Sequence, residues 1–125
     1  MRYFCMFFLL LFMLAANITL ANERDLQPDE ILSIQKFAVC QCLAQSYKGA
    51  DVAVDAQSAA GGYFEAGANG VELYLSIQDF SEKWAKNKKY RSKHGANLSI
   101  MRCLDLYNNQ ELINLIRTMQ KSSSN

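Results

Sequence analysis

The 125-residue sequence holds one proline, one histidine and one tryptophan. The scarcity of proline leaves helices uninterrupted, because proline is the strongest breaker of a helix interior. The single histidine, His94, removes most enzyme chemistry. A thiol or hydroxyl nucleophile needs a base within hydrogen-bond reach. A zinc site needs three or four Cys or His ligands at suitable spacing, and Cys40-Gln41-Cys42 with one histidine is a weak match. No glycine-rich phosphate motif is present. Alternating β-branched residues are missing beyond the short Val52-Ala53-Val54, which excludes a sheet-based fold. An excess of either charge is also lacking: 13 basic and 12 acidic residues give a net +1. A general nucleic-acid binder is basic overall, so no nucleic-acid partner is expected. Neither a cofactor nor a metal is expected.

What is present begins with a secretory signal. Arg2 precedes an apolar run over residues 3–14, and Thr19-Leu20-Ala21 has the small-x-small form of a cleavage site. Cleavage is expected after Ala21. The alternative is an uncleaved membrane anchor, for which the run is short. The chain therefore divides into a signal peptide, residues 1–21, and a single domain, residues 22–125, with no membrane attachment after cleavage. Losing Arg2 leaves 12 basic residues against 12 acidic ones. An exported chain meets oxidising conditions, so cysteines can pair. Cys40, Cys42 and Cys103 remain, and their odd number leaves one unpaired.

The domain reads as five helices. Pro28, Asp29 and Glu30 suit a first helical turn, and the helix runs to about residue 47. Its apolar arc is Ile31, Ile34, Ala38, Val39, Cys42 and Leu43. Cys40 lies roughly 200° from Cys42 on the wheel and points the other way. An alanine-rich helix, capped by Asp51 or Asp55, reaches to about residue 66 despite Gly61-Gly62. Tyr63 and Phe64 are its bulky residues, either buried in a tight core or lining a ligand pocket. A third helix spans about 71–86, with Leu73, Tyr74, Ile77, Phe80 and Trp84 as its buried stripe. Residues 97–119 hold two more. In the first, Ile100, Cys103, Leu104 and Tyr107 share a face. Asn108, with Glu111 three residues on, caps the second, whose stripe is Leu112, Ile113, Leu115, Ile116 and Met119. The fold class is all-α, a small bundle of about five helices closed by a disulfide. Cys42 and Cys103, both on apolar faces, are the expected pair; the alternative is that all thiols are free.

Between the third and fourth helices lies a segment without apolar periodicity, residues 87–96. Counting Lys86, it carries five basic residues and no acid. Lys88, Lys89, Tyr90, Arg91, Ser92, Lys93, His94 and Gly95 are the candidate site. Long loops in compact helical domains are often functional; the alternative is a solvated basic loop.

Cys42-Leu-Ala-Gln-Ser-Tyr47, the alanine-rich helix over 51–65, Lys93-His94-Gly95 and above all Met101-Arg-Cys-Leu-Asp-Leu-Tyr107 carry a family resemblance. The chain resembles the type VI secretion amidase immunity proteins of the fourth amidase family, over nearly the whole domain. Cys40 is a departure from that pattern. The resemblance implies a periplasmic, all-helical protein, not an enzyme. It also implies a homodimer that binds a secreted cell-wall amidase as a heterotetramer. That amidase is a cysteine enzyme cutting peptidoglycan stems between D-glutamate and diaminopimelate. Residues 87–96 would be the effector-binding loop. Two other readings are a periplasmic adaptor or ligand-binding bundle, with Tyr63, Phe64, Tyr74 and Trp84 around a pocket, and a thiol enzyme using Cys40 with His94.

Overall fold

Helix α1 (Pro28–Ser46) is the centre of the structure, touching each of the other four helices. The structure, a computed structural model, describes residues 28–123. The secretory signal expected over residues 1–21 lies outside them. Ile34, Ala38 and Cys42 of the expected apolar arc are buried, and so are Gln35, Phe37 and Ala44 on other sides of the helix. A helix packed on several sides needs no single stripe, so the arc describes only one of its contacts. Gly49, at φ +93°, reverses the chain after α1, a conformation that costs glycine little.

Helix α2 (Asp51–Ala66) turns Ala53, Ala56 and Ala60 inward against α1. Spacings of three and four put these small side chains on one face and allow close approach. Ala50 occupies the N-cap position and makes no side-chain cap bond. Asp51 is thus the first helical residue rather than the cap, where its charge still complements the helix dipole. The helix runs through Gly61 and Gly62. Tyr63 is half-buried and Phe64 is exposed, so the expected burial of this pair is only partial.

A turn over residues 67–70 leads to α3 (Val71–Ala85). Leu73, Tyr74 and Ile77 are buried, while Phe80 and Trp84 are half-buried. Ser81 is also buried, its hydroxyl donating to the Ile77 carbonyl at 2.7 Å. Tyr74 stands edge-on to both Phe37 and Phe64, each with ring centroids 5.0 Å away.

Helix α4 (Ser99–Tyr107) corrects the expected face. Ser99, Arg102, Cys103 and Leu106 are buried, whereas Ile100 and Leu104 are 51% and 59% exposed. Both sets have the same spacing and share Cys103. Apolarity alone favoured the wrong one, because Arg102 is buried through hydrogen bonds. Helix α5 (Gln110–Ser122) is capped by Asn109, not Asn108. The Asn109 side chain accepts from the Leu112 amide at 2.9 Å. Asn109 has the extended backbone an N-cap requires, while Asn108 ends α4. Leu112, Ile116 and Gln120 are buried; Ile113, Leu115 and Met119 are half-buried.

Cys42 and Cys103 form a disulfide with a Cα–Cα distance of 5.6 Å, joining α1 to α4. Cys40, free and half-buried, lies on the other side of α1, near Asp55 of α2. Burial, and then the Asp55 charge, push its thiol pKa upward.

Candidate functional site: a basic hairpin between α3 and α4

Lys86 ends α3, and Leu98 precedes α4. The segment between them is not a slack loop. The Asn87 side chain accepts from the Lys89 amide at 3.0 Å. Arg91 and Asn97 pair in an antiparallel bridge, and the Leu98 amide donates to the Tyr90 carbonyl at 3.3 Å. At the tip, the Ser92 amide donates to the Ala96 carbonyl and the Gly95 amide to the Ser92 carbonyl, both at 3.0 Å. The Ser92 hydroxyl accepts from the amides of His94 at 3.3 Å and Ala96 at 3.0 Å. Gly95 completes the turn at φ +81°, where a Cβ would be strained. A serine that satisfies the turn from within and a glycine at positive φ are why this sequence makes a short hairpin.

The hairpin sorts its residues by role. Lys88, Lys89, Arg91, Lys93, His94 and Gly95 are exposed, whereas Ser92 is half-buried by its turn bonds. Among the described residues the one ion pair is Lys83–Asp79 on α3, at 2.6 Å. The cations of the hairpin are therefore not paired with carboxylates, and its outer surface is positive. Tyr90, also half-buried, faces inward, its ring centroid 6.1 Å from that of Trp84. Burial first, and then hydrogen bonding and charge from Asp105, raise its phenol pKa, with Arg102 opposing. Tyr90 is thus partly committed to the protein's own fold.

Beneath the hairpin lies a polar group that the sequence reading did not single out. Arg102 is 7% exposed. Its Nη1 donates to the Asn87 carbonyl at 3.2 Å, and its Nη2 to the hydroxyls of Ser46 and Ser99, each at 3.2 Å. Its Nε meets no acceptor among the described residues. Its carbonyl accepts from the Trp84 indole N–H at 2.8 Å. The signal was available: an arginine three residues after a serine and adjacent to a disulfide cysteine, on the side of the helix that Cys103 turns inward.

The other candidate groupings are not assembled. Cys40 borders Asp55 and the core, while His94 is exposed in the hairpin turn. Of Tyr63, Phe64, Tyr74 and Trp84, only Tyr74 lines the small cleft beside the start of α1. That cleft, of about 200 Å³, is also lined by Asp29, Glu30, Ser33 and residues 66–69.

The described residues thus define a disulfide-closed helical binding domain that presents a basic hairpin of fixed shape. The family model for the type VI secretion system (T6SS) amidase immunity protein, Tai4, matches residues 33–116, a span that holds both disulfide cysteines and the whole hairpin. A solved structure of the effector–immunity system Tae4/Tai4 from Salmonella typhimurium, a selenomethionine variant, is similar, with a TM-score of 0.64 and 31% identity. The match covers 70% of this chain and 86% of that one. No curated protein matches the chain. The chain belongs to the Tai4 family of T6SS amidase immunity proteins. It is an immunity protein and not an enzyme; the enzyme of such a pair is the effector.

Proposed function

We propose that the chain neutralises a Tae4-type amidase by laying the hairpin at residues 87–98 across the enzyme's substrate groove, blocking its catalytic cysteine. The observation that carries this reading is that the exposed cations sit on a backbone already fixed by hydrogen bonds. A pre-ordered element loses little conformational entropy on docking, so more of the contact energy is realised as affinity. The family resemblance implies an amidase that cuts peptidoglycan stems between D-glutamate and diaminopimelate. A groove shaped for acidic stems would be complementary to this positive surface, which would also speed encounter.

The site of action under this reading is the periplasm, reached through the signal at residues 1–21. The Cys42–Cys103 bridge suits an oxidising compartment. No described helix is long and apolar enough to cross a membrane. The chain is read as a homodimer that gives a heterotetramer with the effector. Val71 and Leu75 support this: both are exposed apolar residues, four positions apart, at the end of α3 away from the hairpin. A dimer through that end would leave both hairpins free.

Association kinetics test the reading. Replacing Lys88, Lys89, Arg91 and Lys93 with Ser should lower the association rate with the cognate amidase and flatten its salt dependence. An unchanged rate at low salt would place the contact elsewhere. Sedimentation at micromolar concentration tests the dimer, which a purely monomeric species would contradict.

A further inference from the structure

Arg102 is a buried cation whose acceptors are neutral oxygens, with no ion pair to a described carboxylate. Burying a charge in this way is costly, and an apolar side chain of similar size would pack with less penalty. What the guanidinium provides instead is direction, since its planar fork sets several donors at fixed angles. The three acceptors belong to three different places. Asn87 starts the hairpin segment, Ser99 is the first residue of α4 after it, and Ser46 is the last residue of α1. Ser46 follows Cys42 by about one helical turn, and its hydroxyl lies 3.5 Å from Cys103 Sγ. The disulfide therefore holds Ser46 where it meets Arg102, and Arg102 in turn holds the two ends of the hairpin segment.

We propose that Arg102 is the positioning residue of the inhibitory hairpin: seated beside the Cys42–Cys103 bridge, it fixes the separation of the hairpin's ends and so the shape presented to the amidase. This rests on the hairpin being the inhibitory element. It also explains why the Met101–Tyr107 block combines an arginine with a disulfide cysteine. Cys103 fastens α4 to α1, and Arg102 carries that fastening into the hairpin.

The experiment compares the parent full-length domain with Arg102→Met, which keeps the bulk and removes the donors, and with Arg102→Lys, which keeps the charge but not the fork. Two quantities are read: amide hydrogen exchange in the free protein and inhibition of the purified cognate amidase. In Arg102→Met, the amides of Ser92, Gly95 and Leu98, whose bonds close the hairpin, should exchange at least about tenfold faster. That follows from losing charge-assisted hydrogen bonds. Amides within α1 and α3 should be unchanged, and the inhibition constant should rise at least about tenfold by the same reasoning. Arg102→Lys should fall between parent and Met. Unchanged hairpin exchange, or a uniform increase throughout the domain, would overturn the proposal and make Arg102 a residue of general stability. Faster hairpin exchange with undiminished inhibition would uphold Arg102 as the clamp but overturn the hairpin as the inhibitory element. If Arg102→Met does not fold, Arg102→Lys is judged by the same exchange pattern.

Discussion

The indole N–H of Trp84 donates to the carbonyl oxygen of Arg102 at 2.8 Å, tying the last turn of α3 to the first turn of α4 across the base of the hairpin. The bond spans 18 residues, so it joins two helices rather than reinforcing one. The Trp84 ring also supports Tyr90. Trp84→Phe should cost about 1 kcal/mol for the hydrogen bond, and somewhat more for the smaller ring. In a domain of this size that lowers Tm by roughly 4–8 °C. A thermal melt followed by circular dichroism measures it, and an unchanged Tm would mean that the bond carries no net stability.

The Cys42–Cys103 bridge closes a sequence separation of 61 residues. In the chain-entropy description, a loop of that size stabilises the fold by about 4 kcal/mol. Urea unfolding with and without a reductant should show an unfolding free energy lower by about that amount in the reduced protein. Non-reducing peptide mapping should recover the peptide of Cys42 joined to that of Cys103. A Cys40–Cys103 peptide in its place would contradict the structure.

Gly67 illustrates a glycine required by packing rather than by backbone angle. A Cβ at this position would fall 1.8 Å from the Tyr74 hydroxyl oxygen and 2.9 Å from its Cζ. Tyr74 cannot easily retreat, because its ring is held edge-on by Phe37 and Phe64. Gly67→Ala should therefore destabilise by about 1–3 kcal/mol, as overpacking does. Gly61→Ala, whose Cβ meets nothing within 4 Å, should be neutral or stabilising because alanine is the better helix former. Equal stabilities for the two variants would contradict this packing.

Alkaline pH should weaken the fold partly through Cys40. Its thiol pKa in the folded protein is raised above 9.0, by burial and then by the Asp55 charge. The folded state therefore holds this proton more tightly than the unfolded state does. The associated stability is complete below pH 9.0 and is lost as pH rises through the folded value. Denaturation midpoints at pH 8 and pH 10, with the disulfide intact, should fall further for the parent than for Cys40→Ala. Equal falls would remove Cys40 as a contributor.

Most helices were legible from periodicity and punctuation. Pro28, Gly67 and Gly70 mark helix boundaries within a residue of where they lie, and Gly49 falls in the short turn between α1 and α2. The disulfide was legible because helical angles separate Cys40 from Cys42, and only Cys42 shares the side of α1 that meets α4. What failed was hydrophobicity as a guide to burial. In α4, Ile100 and Leu104 are exposed while Arg102 is buried, because hydrogen bonds from several distant elements outweigh side-chain polarity there. Asn109 took the cap from Asn108 through a backbone geometry that residue type does not encode. The basic segment was visible as a loop, but its hairpin form depends on contacts with Ser92 and Arg102 that no local pattern announces. Tyr90, one of the candidate site residues, also packs against Trp84, a contact between residues six apart that the lack of apolar periodicity in this segment did not reveal.

The most direct measurement replaces Lys88–His94 with a Gly/Ser linker of equal length in the otherwise intact domain. Circular dichroism first establishes that the helices and the melting transition persist. Inhibition of the purified cognate amidase is then titrated beside the parent. The expected result is a folded variant whose inhibition constant is weaker by at least about a hundredfold, since it loses both the ordered contact and its charges. A folded variant that inhibits as well as the parent would show that the hairpin is not the inhibitory element and place the contact on the helix faces.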